Sequence, residues 1–179
     1  MTVRIAFQGE LGAYSHQACR DAYPEMDALA CKTFEDAIEA VHSGAAKLAM
    51  LPVENTTFGR VPDIHQLIPN SKLHIVGEAF VRVHINLWGI KGSTLETIKS
   101  ARSHPVLLGQ CREFLQQHSL EAVKSADTAG SALEVAQFGD PAQGALASDI
   151  AGEIYGLDLL ARHIEDHDKN TTRFLVMLA

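Results

Sequence analysis

The chain ends in NTTRFLVML at residues 170–178. The apolar second half predicts a buried last strand over 171–178, and the polar residues before it predict a loop at the mouth of that strand. Because neighbouring residues of a strand point to opposite faces, Thr172 and Arg173 can serve one ligand only from the strand mouth. An arginine there offers a bidentate fork for a carboxylate or a phosphate, although a surface or ion-pair role fits the residue equally well.

Strands and helices alternate along the rest of the chain. Strands are predicted at 3–7, 48–53, 81–87, 120–123 and 144–147. Helix starts are predicted at Ser15, Thr33 (with Asp36 in a capping box), Pro62, Ser93 (with Glu96 in a second capping box), Pro105, Ala129 and Ser148. Repeated strand–helix units favour α/β sheets that are mainly parallel and covered by helices on both faces.

The number of sheets follows from two longer segments. Residues 73–88 form a segment long enough to leave one sheet and enter another, and the last strand can return to the first sheet. This pattern predicts two α/β lobes joined by two crossings, with a ligand cleft between the lobes. A single doubly wound sheet is also compatible with the pattern.

Composition and charge indicate the class of protein and disfavour some kinds of binding partner. The chain has 179 residues, of which 46 % are hydrophobic and 21 % charged, which is ordinary for a globular protein. The net charge of −7 disfavours nucleic acid and anionic membranes as partners. The three cysteines, Cys19, Cys31 and Cys111, form no spaced pair, which indicates a reducing compartment. A strand begins at residue 3 and no apolar run reaches about 20 residues, so we expect a soluble, cytoplasmic protein.

Four polar segments lie just after a predicted strand and just before a predicted helix. They cover residues 9–15, 54–59, 103–105 and 127–131. In α/β sheets these positions gather at the carboxyl ends of strands, where ligands bind and where helix N-termini favour anions. Each segment alone is more often a plain helix cap. The turn at 9–12 lacks the dinucleotide fingerprint and a Walker lysine, which argues against a nucleotide site.

Three other residue patterns could form sites. His163 and His167 lie four residues apart beside acidic residues, but a solvated acidic turn explains them better than a metal site. His104 precedes a proline, so it is either a ligand contact or the entrance to a helix. Cys111 falls on the apolar stripe of its helix and is predicted to be a core residue and not a nucleophile.

The polar segments together resemble the catalytic domain of prephenate dehydratase, over essentially the whole chain. Each short motif is weak alone, but the ordered set is highly specific. The matching motifs, in the family's order, are FQG at 7–9, GAYS at 12–15, LPVENT at 51–56, LHIVGE at 73–78, SHP at 103–105 followed by Gln110 and Cys111, DTAGSA at 127–132, IYGL at 154–157 and NTTRF at 170–174.

The resemblance implies a fold and a reaction. The fold would have two α/β subdomains of the periplasmic-binding-protein type II kind with the site in the inter-lobe cleft, the first taking 1–76 plus 166–179 and the second 77–165. Prephenate, a small dianion, would lose carbon dioxide and hydroxide to give phenylpyruvate, for phenylalanine biosynthesis. This chemistry needs no metal and no other cofactor. Many family members continue into an ACT domain, and none is expected in these residues, so feedback control by phenylalanine is not assigned to them.

The resemblance also implies roles for site residues. Thr172 would assist departure of the hydroxyl as a positioned hydrogen-bond donor, because a free threonine hydroxyl is a very poor acid. Arg173 would hold a substrate carboxylate, and Glu54 would orient donors, supply the proton if burial raised its pKa, or serve as a plain structural acceptor. The predicted substrate-binding residues are Ser15, Asn55, Thr56, Ser103, His104, Thr128 and Phe174.

Two other functions fit the same residues. Arogenate dehydratase has the same architecture and reaction, with an amino-acid side chain in the substrate in place of the keto acid. A non-catalytic two-lobed module that binds a small molecule is also compatible with the fold, but the Thr172–Arg173 pair argues against it. Members of the family commonly form homodimers, so a homodimer is the expected assembly, although the sequence itself does not reveal it.

Overall fold

A computed structural model describes residues 2–179 of the chain. The chain divides into two units: the first takes the residues up to 83 together with 169–179, and the second takes 84–168. The boundaries expected from the resemblance, after residues 76 and 165, lie a few residues earlier. Each unit contains one β-sheet with helices packed on it, which confirms the predicted α/β class and the prediction of two sheets.

The secondary structure comprises eleven strands and seven α-helices in the described residues. The strands are β1 (Arg4–Gln8), β2 (Asp27–Cys31), β3 (Leu48–Asn55), β4 (Gly59–Arg60), β5 (His74–Arg82), β6 (Asn86–Gly89), β7 (Ser100–Ser103), β8 (Glu121–Lys124), β9 (Gln143–Ala147), β10 (Asp158–Ala161) and β11 (Thr171–Leu178). The helices are α1 (Tyr14–Ala22), α2 (Phe34–His42), α3 (Pro62–Leu67), α4 (Pro105–Gln110), α5 (Arg112–Gln117), α6 (Thr128–Phe138) and α7 (Asp149–Ile154).

Both sheets are mixed, so the prediction of mainly parallel sheets was too simple. In the first unit the order is β2-β1-β3-β11-β5, with β4 paired to β3. Strands β2, β1 and β3 are parallel, and β11 runs antiparallel to both of its neighbours. In the second unit the order is β10-β6-β9-β7-β8. Strands β8, β7 and β9 are parallel, whereas β6 is antiparallel to β9 and β10.

The core of the first unit lies on both faces of its sheet. Helix α1 packs against Phe7, Met50 and Phe174 on one face. Helices α2 and α3 pack against the other face, where Leu51 and Met177 are fully buried. In the second unit α6 and α7 pack on the sheet around Trp88, Ala145 and their neighbours. The covering of the first sheet by helices on both faces is therefore confirmed.

Several local predictions are confirmed by hydrogen bonds. Thr33 and Asp36 form the predicted capping box, with the Asp36 amide donating to the Thr33 hydroxyl over 3.0 Å and the Thr33 amide donating to the Asp36 carboxylate over 3.2 Å. Pro62 is the first residue of α3. Ser148 caps α7 by accepting from the amide of Ala151. The last strand follows the predicted bounds and returns to the first sheet.

Other local predictions are wrong. The segment 81–87 is not one strand, because β5 ends at Arg82 and β6 begins at Asn86. Between them, the amides of Val83 and Ile85 donate to the Asn170 carbonyl and the Glu165 carboxylate. The apolar alternation continues through this break because Val83 and Ile85 are both buried, so the pattern alone hides the crossing.

The predicted helix starts at Ser15 and Ser93 are also wrong. Helix α1 begins at Tyr14 with Ala13 as its N-cap residue, so Ser15 lies inside the first turn. No helix follows Ser93, since Thr94 and Thr97 instead close a turn through hydrogen bonds between each backbone amide and the other hydroxyl.

Candidate active site

The carboxyl end of β3 and the amino end of β11 meet in the first unit. Asn55, the last residue of β3, lies opposite Thr172 in the antiparallel ladder. Its side-chain amide Nδ2 donates to the Thr172 hydroxyl oxygen over 2.9 Å and to Asn170 Oδ1 over 2.7 Å. Asn170 is buried, whereas Asn55 and Thr172 are half-buried. The site therefore places a threonine hydroxyl at a partly open sheet end, with an amide donor behind it.

The orientation of the Asn55 amide is fixed by the turn that follows β3. Its carbonyl oxygen Oδ1 accepts from the backbone amides of Thr57 and Phe58, over 2.8 and 3.0 Å. Backbone amides can only donate, so Oδ1 must face them and the NH₂ group must face Thr172. A flipped amide would place NH₂ against two N–H groups.

This arrangement settles which hydrogen-bonding capacity the Thr172 hydroxyl retains. Its oxygen already accepts from Asn55, and no hydrogen bond donated by the hydroxyl is found within residues 2–179. A hydroxyl has one proton to donate and two acceptor lone pairs. The proton is therefore available to an external acceptor, and the amide behind the oxygen stabilises negative charge that builds up on it during such donation.

Thr56 is used inside the protein. Its hydroxyl donates to the carbonyl of Lys169 over 2.8 Å and accepts from the amide of Thr171 over 2.9 Å. Its only proton is therefore engaged in joining the turn after β3 to the start of β11. Donation from Thr56 to a substrate stays a prediction, and it requires this proton to leave the Lys169 carbonyl.

Arg173 and Thr172 do not converge. Arg173 lies on the sheet face opposite Thr172 and is held between two carboxylates, with Glu54 at 3.1 Å and Glu78 at 2.9 Å. Hydrogen bonds to Glu54 and then to Glu78 raise the pKa of the guanidinium. All three side chains are 41 to 49 % exposed. In this structure Arg173 forms ion pairs, and Glu54 accepts a hydrogen bond from it. The substrate-binding role of Arg173 and the catalytic roles of Glu54 stay predictions.

Two predicted substrate-binding residues, Ser103 and Phe174, are buried in this structure. Ser103 is fully buried and donates its hydroxyl to the carbonyl of Leu146 over 2.8 Å. Phe174 is 1 % exposed and packs in the core of the first unit. In this structure the Ser103 hydroxyl joins β7 to β9 and Phe174 fills the core, and substrate contact by either residue stays a prediction.

The remaining predicted residues lie at helix starts. Ser15 is half-buried in the first turn of α1. In the second unit, His104 is the N-cap residue of α4 and its Nδ1 accepts from the amide of Val106 over 3.2 Å, which corresponds to the helix-entrance role. Thr128, half-buried, begins α6 just after its cap residue Asp127.

His16 is a polar residue that the sequence analysis missed. It lies in the first turn of α1, where its Nδ1 accepts from the backbone amide of Gly12 over 3.0 Å. Its ring stacks on Phe7, with ring centroids 5.3 Å apart and planes 7° from parallel. Burial, and secondarily the charge of Arg20, lower the pKa of His16 below its usual value. The histidine spaced four residues after a glycine was the available signal.

The acidic turn near the end of the second unit does not gather metal ligands. The Glu165 carboxylate lies 2.8 Å from Nδ1 of His84, and the ring of His84 stacks on that of His163 with centroids 3.8 Å apart. Across residues 2–179, no group of three or more His, Cys, Asp or Glu side chains could hold a metal ion. Within the same residues, no helix has both the length and the apolar character to span a membrane.

Comparison with known proteins identifies the family. A family model described as "Prephenate dehydratase" matches residues 5–179. The chain is 49 % identical over 172 residues to a bifunctional N-acyl-homoserine lactone acylase/prephenate dehydratase of Komagataeibacter europaeus, covering 96 % of this chain and 61 % of that protein. It is 40 % identical to the chloroplastic arogenate dehydratase/prephenate dehydratase 1 of Arabidopsis thaliana, covering 98 % of this chain and 45 % of that protein.

Two solved structures superpose closely on this chain. One, described as a novel type of quorum quenching acylase, superposes with a TM-score of 0.92 at 48 % identity, covering 98 % of this chain and 63 % of that one. A prephenate dehydratase from Arthrobacter aurescens in complex with L-Phe has a TM-score of 0.87 at 27 % identity, covering 98 % and 60 %. The chain thus spans less than two thirds of the length of these relatives. Since the family model extends over nearly all of it, the chain belongs to the prephenate dehydratase family.

Proposed function

We propose that this chain converts prephenate to phenylpyruvate, with loss of carbon dioxide and hydroxide. The observation that carries the proposal is the Thr172 hydroxyl, whose oxygen accepts from Asn55 and whose proton is not engaged within residues 2–179. In the reaction, the bond between the ring and its carboxylate breaks and its electron pair enters the ring. The bond to the ring hydroxyl breaks at the same time, and its electron pair leaves with the oxygen as hydroxide, which takes a proton from solvent to become water.

Thr172 acts on the leaving oxygen. Charge develops there as the carbon–oxygen bond stretches, and a donor positioned for that oxygen lowers the barrier more than it stabilises the bound substrate. A threonine hydroxyl is too weak an acid to deliver the whole proton, so its role is that of a hydrogen-bond donor. Asn55 supports this donation because its amide offsets the negative charge that accumulates on the Thr172 oxygen.

The role of Arg173 as the ligand of a substrate carboxylate stays a prediction, and the structure adds a condition to it. A substrate carboxylate would have to replace Glu54 or Glu78 on the guanidinium. Ion pairs as exposed as these are weak, so such an exchange is feasible. The two carboxylates would then act as competitors of the substrate, and their removal should strengthen its binding.

The test is turnover of prephenate by the purified chain, with phenylpyruvate followed by ultraviolet absorbance in alkali. We expect turnover by the wild type and its near loss in Thr172→Ala. A folded chain that turns over neither prephenate nor arogenate would contradict the proposal and favour a binding module. Arogenate is run in parallel because relatives with 38 to 41 % identity carry arogenate dehydratase in their names. Turnover of arogenate alone would be consistent with the proposed mechanism but would identify arogenate, and not prephenate, as the substrate.

A second candidate activity is hydrolysis of N-acyl-homoserine lactones. It is favoured by the printed name of the relative at 49 % identity and by the superposition on the acylase at a TM-score of 0.92. Release of homoserine lactone by the wild type tests it. The same assay on Thr172→Ala shows whether the dehydratase site is responsible, since amide hydrolysis has no need for a donor aimed at a leaving ring hydroxyl.

We also infer a reducing, cytoplasmic location and a homodimeric assembly. Cys19 and Cys111 are buried thiols, and burial raises the pKa of Cys19 to about 12.

Strand β5 is a sheet edge on which Ile75, Val76 and Phe80 are 51 to 61 % exposed. Such apolar edges are normally covered, and a second copy of this edge offers a matching strand. Light scattering of the wild type and of Phe80→Lys tests the dimer. We expect a dimeric mass for the wild type and a monomeric mass for the variant.

A further inference from the structure

The turn between β1 and α1 has a demanding backbone. Gly9 and Gly12 both adopt positive φ values, 124° and 97°, in the region that favours glycine. The N-cap residue of the helix that follows is Ala13, whose methyl side chain cannot accept a hydrogen bond. The shape of this turn is therefore not secured by a conventional N-cap.

His16 supplies a bond that the cap does not. Its Nδ1 accepts from the Gly12 amide over 3.0 Å, and Phe7 of β1 covers one face of its ring. The ring is thereby held from two directions: from the turn above and from the strand that leads into it. Phe7 belongs to the same core as Phe174, on the sheet face that Thr172 shares by strand alternation. The turn and the Thr172 hydroxyl accordingly lie on the same face of the first sheet, at the end where β1 and β3 finish and β11 begins.

We propose that His16 is a positioning residue, which holds the 9–13 turn in its substrate-binding shape by accepting the Gly12 amide proton at Nδ1. The inference rests on the proposed dehydratase function for its kinetic consequence, but not for the geometry of the bond. A neutral imidazole that accepts at Nδ1 carries its proton on Nε2. An imidazolium has protons on both nitrogens and cannot accept at all, so protonation removes this bond and leaves the turn to its backbone hydrogen bonds, from Ala13 to Glu10 and from Gly9 to Cys31.

The surroundings of the ring set the direction of its pH dependence. Phe7 is uncharged, the turn contributes the exposed Glu10, and Arg20 lies one turn further along α1. Burial is the main cause that lowers the pKa of His16 below 6.5, and Arg20 adds to it. The accepting form is therefore dominant at neutral pH. Substrate affinity should fall as the pH drops through that lowered value, and stay unchanged above it.

Two substitutions separate the nitrogens of the ring. Asn places a carbonyl oxygen where Nδ1 lies, so His16→Asn can still accept from Gly12, whereas Gln reaches to the position of Nε2 and leaves Gly12 without this acceptor. We expect His16→Gln to raise KM for prephenate about fivefold, as one lost hydrogen bond implies, with His16→Asn within about twofold of the wild type. The acid loss of affinity should be present in the wild type and absent in His16→Asn, since an amide does not titrate in this range.

Nitrogen-15 NMR of histidine-labelled chain provides a readout that does not depend on turnover. The His16 signals are assigned by their disappearance in His16→Asn, and the proposal requires a proton on Nε2 and none on Nδ1 at pH 7.5. A proton on Nδ1 would overturn it. So would equal KM values for the Asn and Gln variants, or an acid limb that persists in His16→Asn. If the chain turns over no substrate, the proposed function fails, while the NMR result still decides whether His16 holds the turn.

Discussion

The two units arrange their strands alike and use the same position differently. In each sheet three parallel strands are followed by an antiparallel strand that pairs with the third of them. In the first unit the meeting point of these two strands pairs Asn55 with Thr172, and in the second it pairs Ala147 with Asn86. Both meeting points carry an asparagine, so the same kind of polar side chain occupies this position in each sheet.

The difference lies in what the asparagine binds. Asn86 is fully buried, donates to Asp149 and accepts from the amide of His163. Its bonds join parts of its own unit. Asn55 instead donates to the half-buried Thr172 hydroxyl, whose proton has no acceptor within residues 2–179. The two meeting points thus differ in unused hydrogen-bonding capacity and not in topology, and that capacity is why we place the proposed reaction at Thr172.

The largest effect is expected from removing the Thr172 hydroxyl. Thr172→Ala should lower kcat by about 10²–10³-fold with little change in KM, because one donor to the developing charge is lost. Thr172→Ser should recover most of the rate. Thr171→Ala is the matched control, since that residue lies next in the strand and on the opposite face. Near-normal turnover by Thr172→Ala, with its folding checked by circular dichroism, would remove Thr172 from the mechanism.

The comparison of the two asparagines is tested by the same substitution in both units. Asn55→Ala should lower kcat by about tenfold or more, because the support of the Thr172 hydroxyl is lost. Asn86→Ala should lower the free energy of unfolding by about 1–3 kcal/mol, because the fully buried Asn86 amide no longer joins the Asp149 carboxylate to the His163 amide. Its kcat per folded molecule should stay close to that of the wild type. Thermal unfolding and steady-state kinetics on both variants measure the two effects.

A reversal would break the comparison. If Asn86→Ala lost activity without losing stability, the second meeting point would belong to the catalytic machinery as well. If Asn55→Ala lost only stability, its contacts with Thr57 and Phe58 would be its main contribution.

The sequence predicts well those features that depend on neighbouring residues. The capping box at Thr33, the proline that opens α3 and the last strand follow from local spacing, and the structure confirms them. The alternation of strand residues also predicts that the side chains of Thr172 and Arg173 lie on opposite faces of the sheet. These features need no knowledge of the tertiary fold, because their partners lie within a few positions along the chain.

Features that depend on distant partners could not be predicted in this way. Asn55 and Thr172 are separated by 117 positions, and the register that joins them is a property of the sheet. The carboxylates that hold Arg173 come from two other strands. Ser103 looks like a ligand donor in sequence because no local signal shows that it pairs with the carbonyl of Leu146.

An effect of intermediate size is expected from substitutions at and around Arg173. If it binds a substrate carboxylate, Arg173→Lys should raise KM about tenfold, because an ammonium ion lacks the bidentate fork. Glu78→Gln should act in the opposite direction and lower KM, since it removes a competitor from the guanidinium. An increase of KM in Glu78→Gln, or no change in either variant, would show that Arg173 serves to join β3, β11 and β5. Kinetics with prephenate at fixed ionic strength measure both values.

The smallest effect on activity is expected at Ser103. Ser103→Ala leaves the buried carbonyl of Leu146 without its partner, which should cost about 1 kcal/mol of stability. That loss corresponds to a decrease of about 2–4 °C in Tm for a chain of this size. KM should not change, because the hydroxyl is fully buried. Thr128→Ala is the matched variant in the same unit: its half-exposed side chain is a predicted substrate contact, so it should raise KM and leave Tm nearly unchanged. A raised KM in Ser103→Ala with normal Tm would mean that Ser103 reaches the substrate after all, and that the second unit opens its hydroxyl to the ligand on binding.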